Sequence, residues 1–273
     1  MAFPIFYSIR RVRSLALIAG MSAAMVTSTV CHGQIAATEV SKLDALQTAP
    51  ESAGVLVYRG DTFSQRTPGA APLYRYERRV LAAPGGLTAS HITKDPAGRV
   101  LIAEVATLAP DYEVRRFEAT NQQSGFSGVV QLSNSGRHLE YELNANGKRT
   151  TASENVNDPV VTGPSMFGFI LKHWEPLKAG TVLPVRMLVL HEKTTYGFDI
   201  KYETQANGQT SFTVTPSSFL IRMAIAPLRV VFDTTTKTPL RYEGRVPPME
   251  NVAGKFKDLD ARVEYTAALP AYR

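Results

Sequence analysis

The chain has 273 residues, 44% of them hydrophobic, with 30 Lys and Arg against 24 Asp and Glu for a net charge of +6. That is enough apolar material for one sizeable core, and the charges are interspersed, which argues against a nucleic-acid partner because no basic tail or aromatic-basic stripe is present. A single cysteine, Cys31, excludes an intrachain disulfide.

Residues 1–33 read as a secretory signal peptide. Arg10, Arg11 and Arg13 form a basic start, an apolar run follows over residues 15–26, and small residues come next. The run is about half of the ~20 residues that a membrane-spanning helix needs. Export to the periplasm is therefore the expectation, with cleavage after Ser28 or Gly33. Val30 stands where a lipoprotein signal has a small residue, so a lipid anchor on Cys31 is not expected. The leader carries three arginines and no acid, leaving 27 bases, 24 acids and a charge of +3.

Residues 34–72 read as an N-terminal arm and linker. In it "EVSKLDALQ" suits a short helix, "GVLVYRGDTF" a strand or extended arm, and "RTPGAAPL" a connection. Residues 73–273 read as a single β-rich domain. Turn signals such as "APGG", "KDPAG", "NQQSG", "NSG" and "NANG" recur roughly every 10–13 residues, close to the spacing of hairpin-linked strands. Asn146-Gly147 and Asn207-Gly208 suit two-residue turns that need positive φ at both positions.

Between the turns the pattern alternates. "HLEYEL" sets Leu139, Tyr141 and Leu143 on one face; "YGFDIKYE" does the same with Tyr196, Phe198, Ile200 and Tyr202. Leu228, Val230 and Phe232, then Leu240 and Tyr242, then Val263 and Tyr265 continue the habit. One face of each strand meets a core and the other meets water. The fold class expected is mainly β: a large antiparallel meander of about ten or more strands, curled into an open half-barrel around one central α-helix.

That helix is predicted over residues 163–175, with Thr162 or Gly163 at its start, Pro164 in its first turn and Pro176 ending it. Met166, Phe167, Phe169, Ile170, Leu171 and Trp174 cover roughly 200° of its circumference, about twice the stripe needed to lie on one sheet. Such a helix needs a second cover, and a loop, a strand, a partner or a ligand could supply it.

The stretches "GPSMFGFILKHWEPLKAGTVLPVRMLV", "YGFDIKYE" and "TTTKTPLRYEGRVP" resemble exported bacterial domains of unknown function. The expected wrapping of a long sheet around a helix resembles the periplasmic lipoprotein carriers of the LolA/LolB type. That resemblance implies a concave apolar pocket for acyl chains; it transfers no binding residue position by position.

Catalytic motifs are missing. His91, His138, His173 and His191 lie in no metal-ligand spacing. "GPSMFG" and "GFSG" fall short of a nucleophile elbow, which leaves Ser165 as a first-turn residue bonding backbone amides. Glu140 and Glu142 are expected to meet water. Arg222, Arg229, Arg241 and Arg245 are expected outside; any of them turned inward would need an acid or an anionic head group. The reading is a non-enzymatic periplasmic protein that binds a lipid-like or other hydrophobic molecule, with no cofactor and no metal. Met166, Phe167, Phe169, Ile170, His173 and Trp174 are expected to line the trough with Tyr196, Phe198 and Tyr242. An envelope hydrolase or lyase, and a module docking on an envelope protein, are the alternatives.

Overall fold

The computed structural model describes residues 54–268 apart from Pro68 and Asn134. The leader reading and Cys31 therefore lie outside the described residues. Within them, fifteen strands form one sheet. In chain order these are β1 (Val55–Ser64), β2 (Tyr74–Ala83), β3 (Gly86–Lys94), β4 (Val100–Leu108), β5 (Val114–Asn121), β6 (Phe126–Ser133), β7 (His138–Ala145) and β8 (Lys148–Asn155). There follow β9 (Val160–Val161), β10 (Leu183–Val189), β11 (Thr194–Ala206), β12 (Gln209–Pro216), β13 (Leu228–Asp233), β14 (Pro239–Val252) and β15 (Lys255–Ala267).

The sheet order runs from β8 down to β1, then across to β15 and down to β9. The first and last described strands are thus neighbours at its centre, with Gly60 opposite Tyr265. The free edges are β8 and β9, which are consecutive in sequence. Residues 156–159 alone connect them, and at no more than ~3.6 Å per residue that link brings the edges within roughly 20 Å. The sheet is therefore strongly curled, closed by the chain where hydrogen bonds do not close it. It is an open barrel.

β1 corrects the division at residue 73. The segment read as an arm pairs with both β2 and β15, so the domain includes residues from Val55 onward. The antiparallel meander has one exception among the described residues: β9 pairs with β10 in parallel. A helical crossover lies between them, and parallel neighbours require such a crossover. The Asn-Gly turns are as the sequence suggests, with φ of 53° and 73° at Asn146 and Gly147 and 51° and 74° at Asn207 and Gly208.

The crossover holds two helices, α1 (Gly163–Lys172) and α2 (Trp174–Lys178), separated by His173 at φ −101° and ψ 20°. Pro176 does not end the helix as expected. It occupies the first turn of α2, where a missing N–H costs nothing. Thr162 begins α1 in extended backbone, and Ser165 Oγ accepts from the Thr162 N–H at 2.8 Å. All residues from Pro164 to Ile170 are buried. The second cover is a loop: a Cβ on Gly168 would stand 2.1 Å from the ring of Tyr112, in the β4–β5 connection. Gly168 thus leaves room for that ring.

Two apolar cores share the concave face. One joins α1 and α2 to β10–β15, with Phe167, Ile170, Trp174, Phe212 and Phe232 among its members. The other lies over β3–β7 and includes Phe117, Val130, Leu139 and Tyr141, with Leu188 from β10 and Leu190 from the turn just after it. The site lies between them.

Candidate functional site

α1 points its first residue into the middle of the barrel and carries the rest away from it. Gly163 faces His91 and Glu104, whereas Trp174 packs edge-on to Phe212 and Phe232 at 5.0 and 5.6 Å between ring centroids. Lys237, in the β13–β14 turn, covers the Trp174 ring at 5.2 Å. The helical segment therefore plugs one end of the barrel, and a cavity of about 260 Å³ is left above its start.

The floor of this cavity is Gly163, Met166 and Phe167; one wall is Ile102, Phe117, Ala119 and Phe126; the facing wall includes Phe198, Leu228 and Val263. At the outer rim stand Asn121, Arg245, Pro247 and Asp258. Arg245 is the one of the four noted arginines found here, and it bonds Asp258 and Asp260 at 2.7 Å each. Arg229 and Arg241 pair with surface acids instead, Glu203 at 2.5 Å and Glu243 at 2.8 Å. A strap crosses the mouth: Gln123, in the β5–β6 turn, donates to Met249 O at 3.2 Å and accepts from Met249 N–H at 3.0 Å. Tyr74 Oη donates to the same carbonyl.

Of the nine side chains expected to line a trough, Met166, Phe167, Phe198 and Tyr242 border the cavity. The other five do not. Ile170 and Trp174 are packed in the core, Phe169 is buried with it, and Tyr196 packs against its edge while donating to Glu192. His173 Nδ1 lies 2.9 Å from Phe169 O, and the ring pairs with no carboxylate among the described residues. A helical face was read as one surface, but its later turns are committed to aromatic packing and only its first turn meets open space. His191, at the rim, is 3.7 Å from Glu192, beyond hydrogen-bond reach.

The sequence reading missed the polar end. Arg78, His91 and Glu104 are direct cross-strand partners on β2, β3 and β4, so their side chains form one inward row. Arg78 is fully buried, and its Nη1 donates to His91 Nε2 at 2.8 Å and to Pro164 O at 2.6 Å. A guanidinium cannot accept, so Nε2 is the acceptor and the imidazole carries its proton on Nδ1. Burial first, and then the Arg78 charge, hold His91 well below the usual imidazole range. The ring is neutral at neutral pH.

Glu104 borders the cavity beside it. Burial pushes its carboxyl up to about 7, because removing water penalises the charged form. Neither carboxylate oxygen has a hydrogen-bond or ion-pair partner among the described residues. A Cβ placed on Gly163 would lie 3.3 Å from Glu104 Oε2 and 3.4 Å from His91 Nδ1, so both groups converge on one point at the cavity floor. One signal was available. In "YRYERRV", Arg78 takes the inward position after Tyr74 and Tyr76, and a two-residue turn at "APGG" sets it opposite His91.

No protein-family model matches the chain, and no curated protein matches it in sequence. Among solved structures it is similar to the β-barrel-like protein of the domain of unknown function DUF1849 from Brucella abortus, at 8% identity and a TM-score of 0.46, over 78% of this chain and 97% of that one. A putative thioesterase II from Thermobifida fusca YX aligns over 83% of this chain and 85% of its own, at 9% identity and a TM-score of 0.13, which marks no common fold.

Proposed function

We propose that the protein binds, and carries, an apolar or amphipathic lipid-like molecule in the periplasm, reached through its leader, and does no chemistry on it. The observation that carries this reading is the cavity of about 260 Å³ in the barrel, with apolar walls, a polar floor at His91 and Glu104 and a polar rim at Asn121, Arg245 and Asp258. Its size is near the lower bound of small-ligand sites, and its mix of mostly apolar lining with a few placed polar groups is their usual composition. The lipoprotein carriers named above use a concave sheet in the same manner, so the resemblance and the cavity support one function.

A second reading, docking on an envelope protein, is favoured by a short helix, α3 (Phe219–Arg222), between β12 and β13. Phe219, Leu220 and Met223 are 69%, 76% and 75% exposed there, while Ile225, just beyond, borders the cavity. A contact at this tip would lie beside the mouth, where a carried molecule leaves.

Native mass spectrometry and solvent extraction of the protein from a periplasmic fraction test the carrier reading. A co-purifying lipid is the expected result. Protein that is ligand-free, and that takes up no lipid when offered it, overturns the proposal.

A further inference from the structure

The inner polar end of the cavity, at His91 and Glu104, selects among amphipathic molecules, since Arg245 at the rim is already bonded to Asp258 and Asp260; this inference rests on the carrier reading. We propose that the ligand is a single-chain fatty acid, its carboxyl head seated at Gly163 between His91 and Glu104 and its tail lying along Ile102, Phe117, Met166, Leu188 and Leu228 toward the Arg245 rim.

The chemistry follows from the two groups that converge there. Arg78 fixes the His91 tautomer, so the cavity is offered an Nδ1–H donor of fixed direction and no net charge. Glu104, its neighbour across the strand pair, offers a second donor when protonated. A carboxylate accepts from both at once and shares one proton with the Glu104 carboxyl, since two carboxylates at one site do not both ionise. An alcohol head can also accept from His91 and bond Glu104, but as a neutral group its bonds are about half as strong as those to an ionised carboxylate. A quaternary ammonium head can accept from neither group and meets the positive field of Arg78, which is strong enough at His91 to depress its basicity.

The groups facing Glu104 set the pH behaviour. They are His91 on β3 and Tyr76 on β2, which in turn feels Arg78, Tyr58 and Tyr265; β5 places Ala119 opposite it, and α1 meets it at Gly163. The tyrosine hydroxyl of Tyr76 is raised by burial and stays neutral, as does His91. Glu104 is therefore the titrating partner between pH 5.5 and 8.5. Below about 7 it is protonated and donates; above, it is an anion facing the anionic head. Affinity falls as pH rises, approaching tenfold per pH unit for one linked proton.

The test is calorimetric titration of the full chain with decanoic acid, decanol and decyltrimethylammonium at pH 5.5, 7.0 and 8.5. Decanoate is expected to bind at least tenfold tighter than the other two at pH 5.5 and to lose at least tenfold by pH 8.5. Glu104→Gln, which keeps a neutral donor at every pH, is expected to flatten that dependence. Gly163→Ala, which crowds both groups at the floor, is expected to weaken decanoate at all three values, and it guards against a folding defect in the first variant. Equal binding of the three heads, or a pH profile unchanged in Glu104→Gln, overturns the head-group assignment and leaves the carrier reading standing. Failure of all three to bind at any pH overturns both.

Discussion

On β12 and β13 the inward side chains are Phe212, Val214, Val230 and Phe232, and Phe167 and Trp174 from the helical segment fill the space before them. On β2, β3 and β4 the inward row is Arg78, His91 and Glu104, and much of the space before it is open. Both halves belong to one sheet of the same alternating pattern. The backbone of α1 lies along β3 and β4, but its large side chains turn toward β10–β15 and fill that half, which leaves the other half able to hold something else. Apolar burial stabilises the first half. In the second, burying the Arg78 guanidinium, though it bonds His91 and Pro164 O, and the Glu104 carboxyl, which has no hydrogen-bond partner among the described residues, costs stability, as groups placed for binding commonly do.

Truncating the packed half gives the largest expected effect. Trp174→Ala removes a side chain 3% exposed and should cost about 3–5 kcal/mol in urea unfolding. Trp174 does not border the cavity, so ligand affinity of the folded fraction should be unchanged; a matching loss of affinity would show that the two halves are not separate.

Glu104→Gln should act in the opposite direction and only above a threshold pH. The folded carboxyl holds its proton up to about 7, against an ordinary value of 4.5. The folded state therefore binds more protons than the unfolded one between these values, and stability falls as pH rises through the window. Below about 4.5 the two proteins should be equally stable; above about 7 the variant should gain up to about 3 kcal/mol. His91, depressed rather than raised, has the opposite slope, but it is common to both proteins and cancels in their difference. Equal stability at pH 8 would mean that Glu104 is not held away from water.

Arg78→Met leaves His91 Nε2 and Pro164 O without their donor. An expected loss of about 1–3 kcal/mol should come with a histidine that titrates by NMR nearer the ordinary imidazole range; an unaltered His91 titration would contradict the fixed tautomer. The smallest change is Gln123→Ala, which removes two bonds to Met249 and one to Tyr74 Oη at the mouth. These bonds are part-buried and water can replace them, so about 0.5 kcal/mol each is expected, and ligand exchange should quicken with little change in affinity. Unchanged rates would place entry elsewhere.

Much of the fold was legible because alternation and Asn-Gly turns are local. Leu139, Tyr141 and Leu143 face the core as read, and so do Phe198 and Ile200. Where the chain closes is not local. That β1 sits at the centre beside β15 depends on residues about 200 positions apart, and no periodicity reports such a pairing. The site was legible only in part. The greasy helix signalled a trough, but which of its turns would be covered depended on Tyr112, a loop residue with φ of 63°. The row of Arg78, His91 and Glu104 needed two registers. The first follows from "APGG", whereas the second crosses an irregularity between Thr93 and Lys94 that turn spacing does not reveal.

The central claim is that the open space of the β2–β5 half is where a lipid-like molecule sits. Ala119, opposite Glu104 on β5, borders that space, and Ala119→Leu would fill part of it. Titration of wild type and variant with a fluorescent fatty acid, alongside a melting curve for each, is the most direct measurement. The account predicts saturable uptake by the wild type, at least tenfold weaker uptake by the variant and similar melting. Equal uptake by two equally folded proteins would contradict it.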